Sequence, residues 1–285
     1  MTAPPLTHVA ARPRARHLDR GIRTIVAGLA LLALGGVAPI VGAATCVDED
    51  YVTRVGGDSG CLLMRRFGVE DPVVMVVWIH GNVSTGGPAN SHFRVAEKLA
   101  ADSADSKLLV VALVRPGYPD GTGATSSGNA NDRIDNWQRA TIADVGVAIA
   151  RLRERFKPVR AVLAGHSGGA ALSAVLLAMM PGLADAALLV GCPCDVAAWR
   201  AGRSGRAWAS ESPIRWVDDV PVTARIVALT GSRDATTPPA LAQDYVAALR
   251  RRGIDASFVL VPDAGHVEII GLPVVAETTR QFLRR

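Results

Sequence analysis

Beyond its first 44 residues, the sequence lacks any excess of positive charge. The formal net charge of the 285-residue chain is +5. Residues 1–44 contain five arginines and one aspartate, a net charge of +4, so residues 45–285 carry only +1. A surface that binds nucleic acid concentrates lysine and arginine. The near-neutral body therefore argues against a nucleic-acid partner.

The body also lacks internal repeats, low-complexity tracts and any linker that would mark a second domain. Hydrophobic residues make up 49% of the chain, which is ample material for a buried core. We therefore predict one globular domain over residues 45–285.

The N-terminal segment has no Arg-Arg pair, which argues against a twin-arginine export route. Its basic region is followed by an uncharged stretch, residues 24–44, that ends in small residues. This order is typical of an export signal. We predict that residues 1–44 are a signal peptide cleaved after Ala43 or Ala44, which would make the protein periplasmic or secreted. An uncleaved membrane anchor formed by the uncharged stretch, or a lipid-modified Cys46, is the alternative.

Cysteine is scarce, but its even number fits an oxidising compartment. The four cysteines allow three pairings, and we favour Cys46 with Cys61, because closing this loop of about 15 residues would contribute on the order of 3 kcal/mol. Cys192 and Cys194 flank a single proline in "CPC". A local bridge or two packed thiols is favoured there, since two thiolates make a poor zinc site.

Short apolar runs alternate with helix-like segments along the body. The predicted strands are residues 73–79, 108–114, 159–165, 186–191, 225–231 and 256–262. The predicted helices are residues 91–101, 137–156, 168–180, 240–251 and 273–283. Strands that are apolar on both faces suit a parallel sheet covered by helices on both sides. The pattern predicts an α/β fold with a doubly wound, mostly parallel sheet, preceded by a hairpin over residues 51–67.

A lone serine stands among glycines in "VLAGHSGGAAL", residues 162–172, where a predicted strand meets a helix. So tight a reversal strains the middle residue, and its neighbours two positions away must lack side chains. Gly165 and Gly169 meet that need. The turn would present the Ser167 hydroxyl at the carboxyl edge of the sheet, beside the N–H groups of a helix N-terminus.

This stretch resembles the G-x-S-x-G nucleophile elbow of the α/β-hydrolase superfamily of serine hydrolases, in its esterase and lipase or prolyl oligopeptidase-like branches. The resemblance covers about residues 70–285. It implies a catalytic triad in the order serine, acid, histidine. On this basis Ser167 is the predicted nucleophile, Asp234 the acid after one strand, and His266 the base after the next.

Other histidines and aspartates could be argued for the triad. His266 is the only histidine after the acid, while the others lie in the signal, in glycine-flanked turns or at the start of a helix; they are His8, His17, His80, His166 and His92. Asp263, Asp218 and Asp219 are alternative acids. Asp263 stands too close to His266 in sequence to be the expected partner.

The resemblance also implies an oxyanion hole made of two backbone N–H groups. The first is that of Gly168, which follows the nucleophile. The second comes from the turn "HGNVS" after the first long strand, with Asn82 as the predicted donor and Val83 as the next choice. This turn departs from the glycine-rich H-G-G-G type, which weakens any link to the esterases that use it.

Two further motifs resemble parts of functional sites in other proteins. The sequence "GDSG", residues 57–60, imitates the nucleophile region of trypsin-like proteases but is predicted to be a turn. The sequence "RPGY", residues 115–118, resembles a loop that shapes the pocket wall in α/β-hydrolases.

In this fold a lid usually follows the sixth strand, and we place it at about residues 192–222, too short for a large cap domain. Its tryptophans would line an acyl subsite or pack the lid onto the body, with packing the commoner case; they are Trp199, Trp208 and Trp216.

The expected reaction is hydrolysis of a carboxylic ester through an acyl-enzyme, with a small-molecule ester or peptide as substrate. It requires no metal or organic cofactor. The alternatives are a serine peptidase of the prolyl oligopeptidase-like type and a catalytically inactive binding protein of the same fold.

Overall fold

The central sheet contains eight strands, and its order is β1-β2-β4-β3-β5-β6-β7-β8. The computed structural model describes residues 46–83, 86–129, 133, 136–201 and 210–283. The predicted signal, residues 1–44, lies outside the described residues. The strands are β1 Arg54–Gly56, β2 Cys61–Gly68, β3 Val74–Ile79, β4 Leu108–Leu113, β5 Arg160–His166, β6 Ala186–Val190, β7 Arg225–Gly231 and β8 Asp255–Val261.

Six helices accompany the strands in the described part of the chain. They are α1 Ser91–Ala101, α2 Arg139–Phe156, α3 Gly168–Met179, α4 Val196–Arg200, α5 Pro239–Arg251 and α6 Pro273–Gln281. Every strand and helix that the sequence predicts is present, and the ends differ by one or two residues. None of the helices in the described ranges is long and apolar enough to cross a membrane.

Strands β3 to β8 run parallel, whereas β2 pairs antiparallel with both β1 and β4. The predicted hairpin is therefore part of the main sheet, because β2 continues past its turn and aligns with β4 in the register Met64 to Leu113. The "GDSG" sequence is the hairpin turn, as predicted. Its Ser59 is held by the carboxylate of Asp144 on α2, through both its N–H and its hydroxyl.

The core lies on both faces of the sheet, as the apolar strands predict. All six residues of β3 are buried, and alternate side chains enter opposite layers. Met75, Val77 and Ile79 belong to the layer formed with α2, α3 and α5. Val74, Val76 and Trp78 belong to the layer formed with α1 and α6.

Both pairs of cysteines form disulfides. Cys46 pairs with Cys61, which confirms the predicted pairing. Cys192 pairs with Cys194, so the local bridge is present and not the alternative of two packed thiols, and both of these residues are buried. This second bridge follows directly after β6, at the edge of the sheet where the candidate site lies.

Candidate active site

Ser167 occupies the reversal between β5 and α3. Its φ of 52° lies in the left-handed region, which is uncommon for a residue with a side chain. The flanking glycines show why the turn closes so tightly. A Cβ placed on Gly165 would lie 2.3 Å from the carbonyl oxygen of Gly169, and one on Gly169 would lie 2.1 Å from that of Ile79. Only glycine fits at either position.

Asp234 and His266 are brought together from two loops, after β7 and after β8. Asp234 Oδ2 lies 2.8 Å from His266 Nδ1, and the carboxylate has no exposed surface. Its other oxygen, Oδ1, accepts hydrogen bonds from the backbone N–H groups of Thr236 and Thr237, at 2.9 and 2.7 Å. Both oxygens of the carboxylate therefore have hydrogen-bond partners.

The pKa of Asp234 reflects two opposing effects. Burial alone would raise it, but the hydrogen bonds from His266 and Thr237 stabilise the charged form and hold the pKa below its usual value. Asp234 is thus a carboxylate at neutral pH, able to orient the imidazole and stabilise its protonated form.

The base loop packs directly against the elbow. His166, which precedes Ser167, has its Nε2 2.8 Å from the backbone carbonyl oxygen of His266, and the centroids of the two rings are 4.7 Å apart. In the described residues, no hydrogen bond joins the Ser167 hydroxyl to the His266 ring. Such catalytic hydrogen bonds are often long before substrate binds. The structure therefore pairs the predicted acid with the predicted base and places the loop of His266 beside the predicted nucleophile.

The turn after β3 lies against the serine from the other side. A Cβ on Gly81 would be 2.9 Å from Cβ of Ser167, so the two backbones are in close contact. Asn82 follows directly and is exposed. On the opposite side, α3 begins at Gly168, where the first N–H groups of a helix have no partner within the helix. The two predicted oxyanion donors thus belong to the two segments that flank Ser167.

Sequence reasoning did not assign a role to Tyr118 beyond the wall of the pocket. Its hydroxyl lies 2.8 Å from Oδ1 of Asn82 and also contacts the backbone carbonyl oxygen of Arg133, and its ring lies edge-on to His80, with centroids 4.7 Å apart. This loop therefore holds the Asn82 side chain. The "RPGY" motif indicated this loop in the sequence. Its contact with Asn82 could not be predicted, because the two partners are 36 residues apart.

The alternative acids lie elsewhere. Asp263 is exposed and pairs with Arg233, and Asp218 is exposed near Arg252. Asp219 is also exposed. In the part of the chain that the structure describes, Asp234 is the acid hydrogen-bonded to His266.

Three other histidines are buried and brace the turns around the site. His80 Nδ1 donates to the Gly81 carbonyl and its Nε2 accepts from the N–H of Arg115, which links the turns after β3 and β4. Burial lowers the pKa of all three histidines, to about 3 for His92 and about 4 for His166. For His166, the neighbouring His266 adds to the effect. All three are neutral at neutral pH.

We expect acid to destabilise the protein through these histidines. In the unfolded chain these histidines take up a proton near pH 6.5, whereas in the folded protein they stay neutral down to a lower pH. Their contribution to the free energy of unfolding is therefore fully present above pH 6.5 and is lost as the pH falls toward the folded pKa. Urea unfolding at about pH 7 and about pH 5 should differ by roughly 2 kcal/mol for each histidine. His92→Gln, which keeps a donor for the Leu113 carbonyl but does not titrate, should recover roughly one such increment. An identical loss in wild type and variant would contradict this account.

Trp199 and Trp216, the two lid tryptophans among the described residues, pack against the core of the body. The Trp199 indole N–H donates to the carbonyl of Thr236 at 2.8 Å, which fastens α4 to the loop that carries Asp234. Trp216 donates to Glu211 at 2.9 Å. Trp208 lies outside the described residues. These contacts favour packing over an acyl subsite for Trp199 and Trp216. The lid itself remains a prediction.

A cavity of about 260 Å³ lies near the candidate catalytic residues, on the α1 side. Gly81 and His166, which flank Ser167, line it, and so does Val267, which follows His266. A second cavity, of about 410 Å³, lies between α1 and α6 and is lined by none of the candidate catalytic residues. The smaller cavity is also lined by none of the candidate catalytic residues, but it is lined by residues adjacent to them in sequence.

Comparison with known proteins identifies related sequences and folds. The model of the prolyl oligopeptidase family matches residues 117–281, a range that contains Ser167, Asp234 and His266 but not Asn82. No curated protein sequence matches the chain.

Among solved structures, the chain is similar to an acylaminoacyl peptidase bound to Z-Gly-Gly-Phe-chloromethyl ketone, with a TM-score of 0.61, 14% identity and 81% of this chain covered. The chain spans only 40% of that peptidase. It is also similar to an esterase of Pyrococcus furiosus, with a TM-score of 0.63, 14% identity and coverage of 81% of this chain and 88% of that one. Esterase 2 of Thermogutta terrifontis, phosphonylated by cyclosarin, has a TM-score of 0.57 and 17% identity, with coverage of 78% and 88%. These likenesses show a shared α/β-hydrolase fold.

Proposed function

The chain belongs to the prolyl oligopeptidase family of serine hydrolases, and from this premise we propose that it is an exported enzyme that hydrolyses a carboxylic ester. The observation that carries the proposal is the buried Asp234–His266 pair, 2.8 Å apart, beside a serine held in a left-handed turn. A carboxylate that orients an imidazole next to a strained serine is the arrangement that serine acyl transfer requires.

The proposed chemistry has two halves. His266 takes the hydroxyl proton of Ser167 as the serine oxygen attacks the substrate carbonyl carbon, and the N–H groups of Gly168 and Asn82 receive the oxyanion. Collapse of this intermediate expels the alcohol, which takes the proton from His266, and leaves an acyl-enzyme. A water molecule, deprotonated by His266, then attacks the acyl carbon, and Ser167 leaves with its proton restored. Asp234 stabilises the imidazolium formed in each half.

Export is part of the proposal, and two disulfides support it because such bonds persist in oxidising compartments. The uncharged stretch of residues 24–44 supplies the signal. N-terminal sequencing of the exported protein should find a start just after Ala43 or Ala44, and an intact N-terminus would indicate the anchored form.

Labelling with a fluorophosphonate probe tests the enzyme assignment. We expect the wild type to be modified and Ser167→Ala to remain unmodified, because only an activated serine attacks the phosphorus. Ser91→Ala, which changes a serine lining the same small cavity, should be labelled like the wild type. An unlabelled wild type would overturn the proposal and favour an inactive binding protein.

The family membership itself favours a second candidate, a serine peptidase. Turnover of short-chain p-nitrophenyl esters should be compared with turnover of peptide anilides. We expect efficient ester cleavage, since only about 33 residues separate β6 from β7 and a site with so short a cover admits small esters without selecting extended peptides. Appreciable anilide cleavage with negligible ester cleavage would assign the peptidase instead.

A further inference from the structure

Thr237 lies at the centre of a hydrogen-bonded group that joins three loops of the candidate site. The residue is fully buried, and its hydroxyl is close to three polar atoms. Oγ1 lies 2.8 Å from Oδ2 of Asp234, 3.0 Å from the carbonyl oxygen of Gly191 and 3.1 Å from Nδ1 of His266. No role could be predicted for this threonine from the sequence.

The proton positions in this group are constrained. A hydroxyl has one proton to donate and lone pairs to accept, while the Asp234 carboxylate and the Gly191 carbonyl can only accept. The hydroxyl therefore donates to one of these two oxygens, and a lone pair is left to face Nδ1 of His266. Both Oγ1 and Oδ2 then favour a proton on Nδ1, which leaves Nε2 unprotonated and able to accept the proton of Ser167.

The third partner, Gly191, is held in place by a backbone hydrogen bond and by the disulfide that follows it. Its N–H donates to the Leu229 carbonyl at 2.8 Å, at the end of β6, and the buried Cys192–Cys194 bridge follows it directly. Its own Cα packs against the catalytic pair, since a Cβ there would lie 3.2 Å from the His266 ring and 3.3 Å from Asp234 Oδ2. When the Thr237 hydroxyl donates to the Gly191 carbonyl rather than to Asp234, this hydrogen bond ties the acid loop to this rigid point.

We propose that Thr237 is a positioning residue for the acid–base pair: its hydroxyl fixes the orientation of Asp234 and the Nδ1–H form of His266 against the end of β6. This inference rests on the proposed hydrolase function. Loss of the hydroxyl would let the imidazole and carboxylate drift from the geometry that proton transfer needs, which slows the chemical steps and leaves substrate binding in place.

A pair of substitutions separates the hydroxyl from the shape of the side chain. Thr237→Val keeps the branched shape and removes the hydroxyl, whereas Thr237→Ser keeps the hydroxyl and removes a methyl group. With a p-nitrophenyl ester as substrate, we expect the valine variant to lose roughly 10- to 100-fold in kcat with little change in KM. The serine variant should recover most of that loss.

Thr230→Val is the matched control. Thr230 is a buried threonine on β7 whose hydroxyl has no hydrogen-bond partner among the described residues, so its loss should leave kcat near that of the wild type. A drop as large as that of Thr237→Val would show that deletion of any buried hydroxyl is harmful, and would overturn the inference.

The remaining outcomes also decide the matter. A valine variant more active than the serine variant would mean that Thr237 acts by packing, and a KM effect without a kcat effect would remove its role in the acid–base pair. Should the valine variant fail to fold, Thr237→Ala and Thr237→Ser give the same comparison of hydroxyl absent and present. A wild type that the fluorophosphonate probe does not label overturns the proposed function; a labelled wild type with a fully active Thr237→Val overturns this inference alone.

Discussion

Replacing Asp234 by asparagine is expected to lower kcat by about 10⁴-fold with the fold intact. The asparagine side chain can turn its N–H₂ group toward Nδ1 of His266, which then accepts a hydrogen bond instead of donating one. The imidazole proton would move to Nε2, where it blocks transfer from the Ser167 hydroxyl. In addition, no carboxylate would remain to stabilise the imidazolium. Steady-state kinetics with a p-nitrophenyl ester would measure the loss, and circular dichroism would verify the fold.

Asp263→Asn is the matched control for this variant. Asp263 is closer to His266 in sequence, but its exposed side chain pairs with Arg233. An exposed pair of this kind contributes at most about 1 kcal/mol, so this variant should keep its activity within about a factor of two. A large loss from Asp263→Asn together with an active Asp234→Asn would show that the acid has been wrongly chosen.

The strands and helices of the fold could be predicted from local sequence, because each has a recognisable pattern of apolar residues bounded by turn residues. Strands such as β3 and β4 are continuous apolar runs, and turn residues or glycines mark where they end. Alternation of strand and helix then permits few arrangements of the sheet. The position of β2 could not be predicted in the same way, because its pairing with β4 joins residues 41 to 49 positions apart and no local pattern specifies it.

The candidate site likewise contains residues that local sequence predicts and residues that it does not. The elbow around Ser167 is visible in sequence, since its glycines are spaced by a local steric need. Asp234 and His266 could be located because each follows a strand whose carboxyl end reaches the same edge of the sheet. Thr237 and Tyr118 could not be found this way. The contact of Thr237 with Gly191 spans 46 residues and that of Tyr118 with Asn82 spans 36, and a threonine or tyrosine in a loop has many ordinary uses.

Gly169→Ala is expected to destabilise the protein by about 3 kcal/mol or more and to abolish labelling of Ser167 by the probe. The added Cβ would lie 2.1 Å from the Ile79 carbonyl oxygen and 2.6 Å from that of His80. These are backbone atoms at the end of β3, so no side chain can rotate away to make room. Helix α3 would have to retreat from the sheet, and the elbow and the turn that carries Asn82 would separate.

Gly271→Ala provides the comparison, because a Cβ there meets no atom within 4 Å. It should change the free energy of unfolding by no more than about 0.5 kcal/mol and leave labelling unchanged. Urea unfolding and probe labelling of the two variants measure both effects. Strand β3 also supplies the core on both faces, so the clash at Gly169 would affect stability and activity together. The contact that brings α3 against the sheet is also the one that brings the two predicted oxyanion donors close to the serine. A stable Gly169→Ala variant that the probe labels at the wild-type rate would show that this close approach is not what presents Ser167.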